Sequence, residues 1–267
     1  MSIVCQIGEL VYPDKNGYLT NSIEISQPIQ KEWQQPVRLC VQEIKKHLPN
    51  LIHSIYLRGS VAKCVAIAGI SDIDLVIITK NKIDHKYSKE WIKPFEMKLS
   101  SKYPQVNSVE FMIVSLPALL DTSQPIGLQV LLKLQSRLLE GNDVLSLLPP
   151  IKPNSGCFIN IPIFSKLQTN LKNTPSGKKN NTSWVAKRYI RTGFELCIER
   201  EKVFTRDLYP CYEIFSKYYP QYKHQMYKLL EQAIEPTWSK SELLYCINSL
   251  GEWTNQEIRK QYPRYSK

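Results

Sequence analysis

The sequence feature that most constrains the fold is the pair Gly59-Ser60, followed twelve residues after the serine by Asp72 and Asp74. A short apolar segment precedes the pair, and the two aspartates lie near the start of a longer apolar run. This order predicts a strand, a Gly-Ser turn into a short helix over residues 61–68, and a second strand that begins with the aspartates. Because the first N–H groups of a helix are unpaired and carry partial positive charge, the turn is predicted to bind phosphate.

Carboxylates near that turn predict a divalent cation. Side chains two apart on a strand point to the same face, so Asp72 and Asp74 are predicted to project together, away from a core on the side of Ile73. Glu110 is the one charged residue of the apolar segment 109–114, and a charge in a buried strand needs a partner or a metal. Magnesium takes few carboxylates and completes its shell with water and phosphate oxygens. If the strand of Glu110 lies beside the aspartate strand, Glu110 is a third metal ligand, the general base for an acceptor hydroxyl, or both.

Each of these features also has an ordinary explanation. Gly-Ser turns are common, and a lone Asp-x-Asp is more often the solvated end of a strand. Glu110 would then be a strand-edge residue that points to water. The combination of all three in one order and spacing favours the phosphate and metal site.

These residues resemble the nucleotidyltransferase superfamily named after polymerase beta, and most of all its two-domain bacterial branch with the streptomycin and spectinomycin adenylyltransferases. The resemblance is carried by Gly59-Ser60, by residues 71–75 and by Glu110. It extends to four further segments, at residues 137–143, 184–198, 205–207 and 219–220. It implies an α+β fold: a nucleotidyltransferase catalytic domain over residues 1–150, with a mixed sheet flanked by helices, and a C-terminal α-helical bundle domain over residues 151–267.

The resemblance also implies the chemistry. In that family the Gly-Ser turn binds the phosphates of a nucleoside triphosphate, the two aspartates hold Mg²⁺, and a glutamate at the position of Glu110 activates the acceptor. Asp72, Asp74 and Glu110 are therefore the implied catalytic and metal-binding residues, with ATP or another nucleoside triphosphate as co-substrate. The implied reaction is in-line attack of an acceptor hydroxyl on the α-phosphate, with pyrophosphate as leaving group.

The charge of the chain bears on both the nucleotide and the acceptor. The net charge is +11, and most of the excess lies after residue 150. Lys187 and Arg191, four apart on one predicted helix, are predicted to bind the nucleotide phosphates together with Gly59 and Ser60. The resemblance adds Arg206, whose position holds a phosphate-contacting basic residue in that branch. A basic second half disfavours polycationic aminoglycosides as acceptors and favours an RNA, a nucleotide or an acidic protein surface.

Cysteine content, apolar runs and proline positions give further predictions about location and domain organisation. The seven cysteines are odd in number and form no Cys-x-x-Cys pair, so we expect reduced core residues. The chain has no apolar run of about 18 residues and no secretory pattern at its amino terminus, which predicts a cytoplasmic protein without a membrane partner. Three prolines within residues 149–153 predict the domain boundary. The predicted helices span residues 28–47, 88–101, 125–140, 184–200, 207–218, 222–234 and 240–260, and a polar loop is predicted over residues 170–183.

Two classes of function remain open from the sequence. The first is an enzyme that transfers a nucleoside monophosphate, most simply AMP from ATP, to an RNA, a protein or a small molecule; an aminoglycoside adenylyltransferase is one form of it. The second is a non-catalytic nucleotide- or RNA-binding module on the same fold. Fold-level resemblance alone does not decide between acceptors. The oligomeric state and the role of residues 1–28 stay open as well.

Overall fold

The computed structural model of this chain describes residues 4, 6–21, 23, 26–121, 123, 126–164, 179–237 and 239–265. The chain divides into two compact units. One is Thr20–Pro150, and the other combines Met1–Leu19 with Ile151–Lys267. The first domain predicted from the sequence spans residues 1–150, so the predicted and observed divisions differ in the place of the first nineteen residues.

A four-stranded mixed sheet forms the centre of the Thr20–Pro150 unit. Its strands are β1 (Ile52–Arg58), β2 (Ile73–Thr79), β3 (Val109–Ser115) and β4 (Ser136–Gly141). The order across the sheet is β3-β2-β1-β4. Strand β1 is antiparallel to both β2 and β4, whereas β2 and β3 are parallel. The mixed sheet that the sequence predicted is therefore confirmed.

Helices cover both faces of this sheet. They are α1 (Lys31–His47), α2 (Gly59–Ala62), α3 (His85–Lys102), α4 (Leu116–Leu120) and α5 (Gly127–Gln135). On one face, Ile73 and Leu75 pack with Trp33 of α1 in one apolar cluster. On the other face, Tyr56 and Val76 belong to a second cluster. Because strand side chains alternate between faces, Asp74 lies on the face of Val76, and the predicted core position of Ile73 is confirmed.

Two predicted helices of this unit were wrong in extent. The helix expected over residues 61–68 is only the single turn α2, because Cys64 adopts a left-handed backbone with φ of +59° and leads the chain away from the helix. The helix expected over residues 125–140 ends at Gln135. The next residues form β4 and pair with β1 from Ser136 to Gly141. Hydrogen bonding to the open edge of β1 outweighs the helix propensity of the intervening Arg, Leu and Glu residues.

The second unit is helical, as predicted. Its helices are α6 (Lys179–Glu195), α7 (Ile198–Glu201), α8 (Leu208–Tyr218), α9 (Lys223–Ile234) and α10 (Lys240–Gln261). Isolated bridges pair Val11 with Phe204 and Leu19 with Ile151, which ties the amino-terminal segment to this unit. The polar loop predicted over residues 170–183 lies outside the described residues as far as residue 178, and the prediction was wrong for residues 179–183, which form the first turn of α6. Among the described residues, none of the helices combines the length and apolarity needed to cross a bilayer.

Candidate active site

The register of the sheet aligns three charged residues from three neighbouring strands. Arg58, the last residue of β1, pairs with Asp74 on β2, and Asp74 pairs with Glu110 on β3. Paired residues of adjacent strands project to the same face of a sheet. Arg58, Asp74 and Glu110 therefore form a continuous line across the sheet, which we call the cross-strand row.

One guanidinium nitrogen holds the cross-strand row together. Arg58 Nη2 lies 3.1 Å from Asp74 Oδ1 and 3.1 Å from Glu110 Oε2. The side chains of Arg58 and Asp74 are 15% and 18% exposed, whereas that of Glu110 is 57% exposed. The row thus has a buried end at β1 and β2 and a solvated end at β3. No role was predicted for Arg58 from the sequence, where its place next to Gly59 is the available signal.

The cross-strand row has a strong effect on the protonation of Asp74. Burial raises the pKa of Asp74 to about 7, the positive charge of Arg58 acts in the opposite direction, and Glu110 and Asp72 raise the pKa further. Desolvation and neighbouring like charges both disfavour an ionised carboxylate. Positive charge placed at this point of the sheet therefore favours the ionised form of Asp74.

Gly59 brings the turn against the carboxylate of Asp74. Its φ is +77°, a conformation that glycine adopts without strain, and a Cβ atom built there would run into Asp74 Oδ2. Next to it, Ser60 Oγ donates a hydrogen bond to Ser71 Oγ at 3.0 Å, and Ser71 Oγ accepts one from Ile67 N at 2.9 Å. The structure brings the Gly-Ser turn and Asp74 into direct contact. Phosphate binding by Gly59 and Ser60 stays a prediction.

Asp72 lies near the cross-strand row but has its own partners. The sequence predicted a strand that begins with Asp72. Strand β2 begins one residue later, at Ile73, so Asp72 immediately precedes it. Asp72 Oδ1 accepts hydrogen bonds from Asn107 Nδ2 at 2.8 Å and from Ser108 Oγ at 2.6 Å. Both donors belong to the segment that leads into β3, and neither was predicted from the sequence. They fix the orientation of Asp72.

The carboxylates suit a divalent cation in kind. All three candidate ligands offer hard oxygen atoms, and Asp74 and Glu110 already converge on one cationic group. Within the described part of the chain, however, no three His, Cys, Asp or Glu side chains are grouped as a metal site. Asp72, Asp74 and Glu110 are therefore neighbours that are not assembled around a common point. Their role as metal ligands stays a prediction.

The predicted basic ligands belong to the second unit. Lys187 and Arg191 are half-buried and lie one turn apart on α6. Arg191 Nε donates a hydrogen bond to the backbone oxygen of Arg206 at 3.2 Å, so the structure brings these two residues together. Burial raises the thiol pKa of the nearby Cys211, and the charges of Arg191 and Arg206 act in the opposite direction. Their contact with a nucleotide stays a prediction.

Comparison with known proteins identifies the fold. No family model and no curated protein matches the sequence. A solved structure of spectinomycin adenyltransferase AAD(9) from Enterococcus faecialis, determined with ATP and spectinomycin, is similar to this chain with a TM-score of 0.60 and 13% sequence identity. The match covers 82% of this chain and 98% of that one. At this identity the similarity shows the fold alone. The chain has a nucleotidyltransferase-like α+β fold with a C-terminal helical region, as predicted.

Proposed function

We propose that the protein is a nucleotidyltransferase that moves a nucleoside monophosphate, most simply AMP from ATP, to an acceptor hydroxyl. The observation that carries the proposal is the contact between the Gly59 turn and Asp74, beside Glu110 on the adjacent strand. A turn that offers N–H groups to phosphate and carboxylates that attract a cation are the two halves of a metal-triphosphate site. The nucleotidyltransferase-like fold supports the same reaction class.

The described side chains support a division of roles. Asp72, Asp74 and Glu110 hold Mg²⁺ in the proposal. When bound, that ion neutralises charge on the phosphates and orients the reacting phosphoryl group. Glu110 is the most exposed member of the cross-strand row, which makes it the best-placed base for the acceptor. It takes the hydroxyl proton while the hydroxyl oxygen bonds to the α-phosphorus and the bond to pyrophosphate breaks.

The basic residues of the second unit take the remaining phosphate charge in this proposal. Lys187, Arg191 and Arg206 would neutralise the β- and γ-phosphates and the leaving pyrophosphate. The excess of positive charge after residue 150 supports an acidic acceptor, an RNA or an acidic protein surface, over a polycation. Spectinomycin, which was bound in the similar structure, supports a small-molecule acceptor. These are the arms of the acceptor test.

The second candidate is a non-catalytic nucleotide- or RNA-binding module. One observation favours it: within the described residues the three carboxylates are not grouped as a metal site. A binding module needs the turn and the basic residues but no assembled metal. The two candidates therefore differ in whether any acceptor is modified.

The experiment that separates them is a transfer assay with α-labelled nucleotides. Purified protein and Mg²⁺ are incubated with each of the four nucleoside triphosphates and with pooled tRNA, cell-lysate protein or an aminoglycoside panel. Label that moves to one acceptor class, with release of pyrophosphate, supports the enzyme and names its acceptor. The matched control is the variant Asp72→Ala/Asp74→Ala, which must lose the transfer. Tight nucleotide binding without transfer to any acceptor would support the binding module instead.

A further inference from the structure

Arg58 and a divalent cation would compete for the carboxylates of the cross-strand row. Asp74 and Glu110 carry two like charges on adjacent strands, and Arg58 supplies the opposite charge through Nη2, at 3.1 Å from each carboxylate. A divalent cation between the same two carboxylates would compete with Arg58 for the oxygens that it holds, Asp74 Oδ1 and Glu110 Oε2. Two cations that share those ligands would repel each other at short range. Arg58 and a metal ion therefore exclude each other at this point of the sheet.

Arg58 does not use all of its hydrogen-bond donors in this position. Its Nε atom is buried and has no hydrogen-bond partner among the described residues. A buried donor without an acceptor carries its desolvation cost uncompensated. Arg58 also stands directly before the Gly59-Ser60 turn, where the proposed phosphates bind. A bidentate phosphate contact would give the guanidinium the partner that its Nε lacks here.

We propose that Arg58 is an internal counter-ion that occupies the metal position until metal and nucleotide bind. In the metal-free state it holds Asp74 and Glu110 together and compensates their charge. It releases both carboxylates to the divalent cation and turns to the phosphates at the adjacent turn. This inference rests on the proposed function and adds a positioning residue to it. It also gives a reason for metal and nucleotide to bind cooperatively. The metal replaces the positive charge that the carboxylates lose when Arg58 moves, and the phosphates replace the carboxylates as partners of Arg58.

The test measures metal binding rather than transfer. Mn²⁺ alone is titrated into the wild-type protein at pH 8, and the free ion is followed by electron paramagnetic resonance. Arg58→Met and Arg58→Gln remove the competing charge, so both should bind Mn²⁺ about tenfold or more tightly, as expected if one charge-assisted hydrogen bond no longer has to be broken. Arg58→Lys keeps the charge and should resemble the wild type more closely.

Two controls accompany these variants. Arg38→Met removes the same charge from an exposed position on α1 in the same unit, so it reports any general effect of net charge. Asp74→Asn removes a proposed ligand and should weaken Mn²⁺ binding. Far-UV circular dichroism confirms that each variant is folded, and Arg58→Gln decides the question by the same criterion if Arg58→Met does not fold.

Each outcome is decisive. Tighter Mn²⁺ binding in the neutral Arg58 variants but not in Arg38→Met supports the counter-ion. Unchanged or weaker binding in those variants, with Asp74→Asn still impaired, overturns the counter-ion and leaves the metal site of the proposed function intact. No Mn²⁺ binding by any form of the protein would overturn both the metal ligands and the displacement of Arg58.

Discussion

Replacement of Gly59 by alanine tests the contact between the turn and Asp74. Two separate costs meet at this position. The backbone has a φ of +77°, and the added Cβ atom would run into Asp74 Oδ2. The carboxylate cannot move aside freely, because Asp74 Oδ1 lies 3.1 Å from Arg58 Nη2. Gly59→Ala therefore has to strain the backbone and also disturb the cross-strand row.

The two costs can be estimated separately. A non-glycine residue in the left-handed region costs about 1–2 kcal/mol. A displaced Asp74 also disturbs Arg58, which pairs with it and donates a hydrogen bond to Glu110 Oε2, and loss of a hydrogen bond between charged groups costs about 1.5–3 kcal/mol. Together they predict that Gly59→Ala lowers the free energy of unfolding by about 2.5–5 kcal/mol. That is a large part of the 5–15 kcal/mol that is typical of a folded domain.

Gly69 provides the matched control. It lies in the same unit with a φ of +74°, but a Cβ atom there would meet nothing within 4 Å. Gly69→Ala should therefore cost only the backbone strain, about 1–2 kcal/mol. Urea unfolding followed by circular dichroism gives the free energy for each variant. A double-mutant cycle with Asp74→Ala then isolates the contact, since Gly59→Ala should cost no more than Gly69→Ala once the carboxylate is absent.

The result that would refute this reasoning is equal destabilisation by Gly59→Ala and Gly69→Ala in the otherwise wild-type protein. The same cost of Gly59→Ala with and without Asp74 would have the same meaning. Either result would show that the turn does not press against the carboxylate, and the main observation behind the proposed function would be lost.

Three further predictions concern protonation, burial and reactivity. The pKa of Asp74 is raised to about 7 in the folded protein. Between about pH 4 and pH 7 this carboxyl group is therefore protonated in the folded protein and ionised in the unfolded chain. The stability of the protein should therefore fall as pH rises through this range, and urea unfolding at pH 5 and pH 8 should show a smaller fall in Asp74→Asn. Glu195 is buried and accepts hydrogen bonds from the backbone N–H and the side-chain amide of Asn160. Glu195→Gln puts an amide against those donors and should cost about 1–3 kcal/mol in the same assay; a change below 0.5 kcal/mol, about the effect of a surface substitution, would contradict it. Cys64 is half-buried, whereas burial raises the thiol pKa of Cys211 to about 12, so peptide mapping after brief iodoacetamide treatment at pH 8 should find Cys64 labelled before Cys211, and equal labelling of the two would contradict the described burial.

The sequence predicted those parts of the fold that depend on local periodicity. Apolar alternation was sufficient for β2, because Ile73 and Leu75 enter one core while Asp74 faces the other way. The apolar run around Glu110 was likewise sufficient for β3. Amphipathic spacing identified the helices of the second unit. In each case the pattern and the tertiary environment favour the same structure.

Long-range pairing set the features that the sequence did not predict. Strand β4 was wrongly predicted as helix, because its residues are good helix formers and only the open edge of β1 makes them a strand. Arg58 received no role for a related reason. Its importance follows from the antiparallel register that sets it opposite Asp74, and a local pattern contains no information about register between strands. The hydrogen bonds from Asn107 and Ser108 to Asp72 depend on the same parallel pairing of β2 with β3.

The cross-strand row also determines which substitution tests the metal ligands most cleanly. Asp74→Ala removes a proposed ligand, but it also takes a partner from the half-buried charge of Arg58, so a loss of activity in that variant has two explanations. Asp72 is held instead by the neutral donors Asn107 and Ser108. Asp72→Asn keeps an acceptor oxygen for both and leaves no cation without a partner.

Asp72→Asn should therefore change the free energy of unfolding by less than about 1 kcal/mol while it weakens Mn²⁺ binding, because an amide oxygen is a poorer ligand than a carboxylate for a hard cation. Urea unfolding and Mn²⁺ titration on the same preparation measure both quantities. Unchanged Mn²⁺ affinity would mean that Asn107 and Ser108 fix Asp72 for a structural purpose, and that the metal ligands are confined to Asp74 and Glu110. Weaker affinity at unchanged stability separates a ligand from a structural residue, which no alanine substitution within the cross-strand row can do.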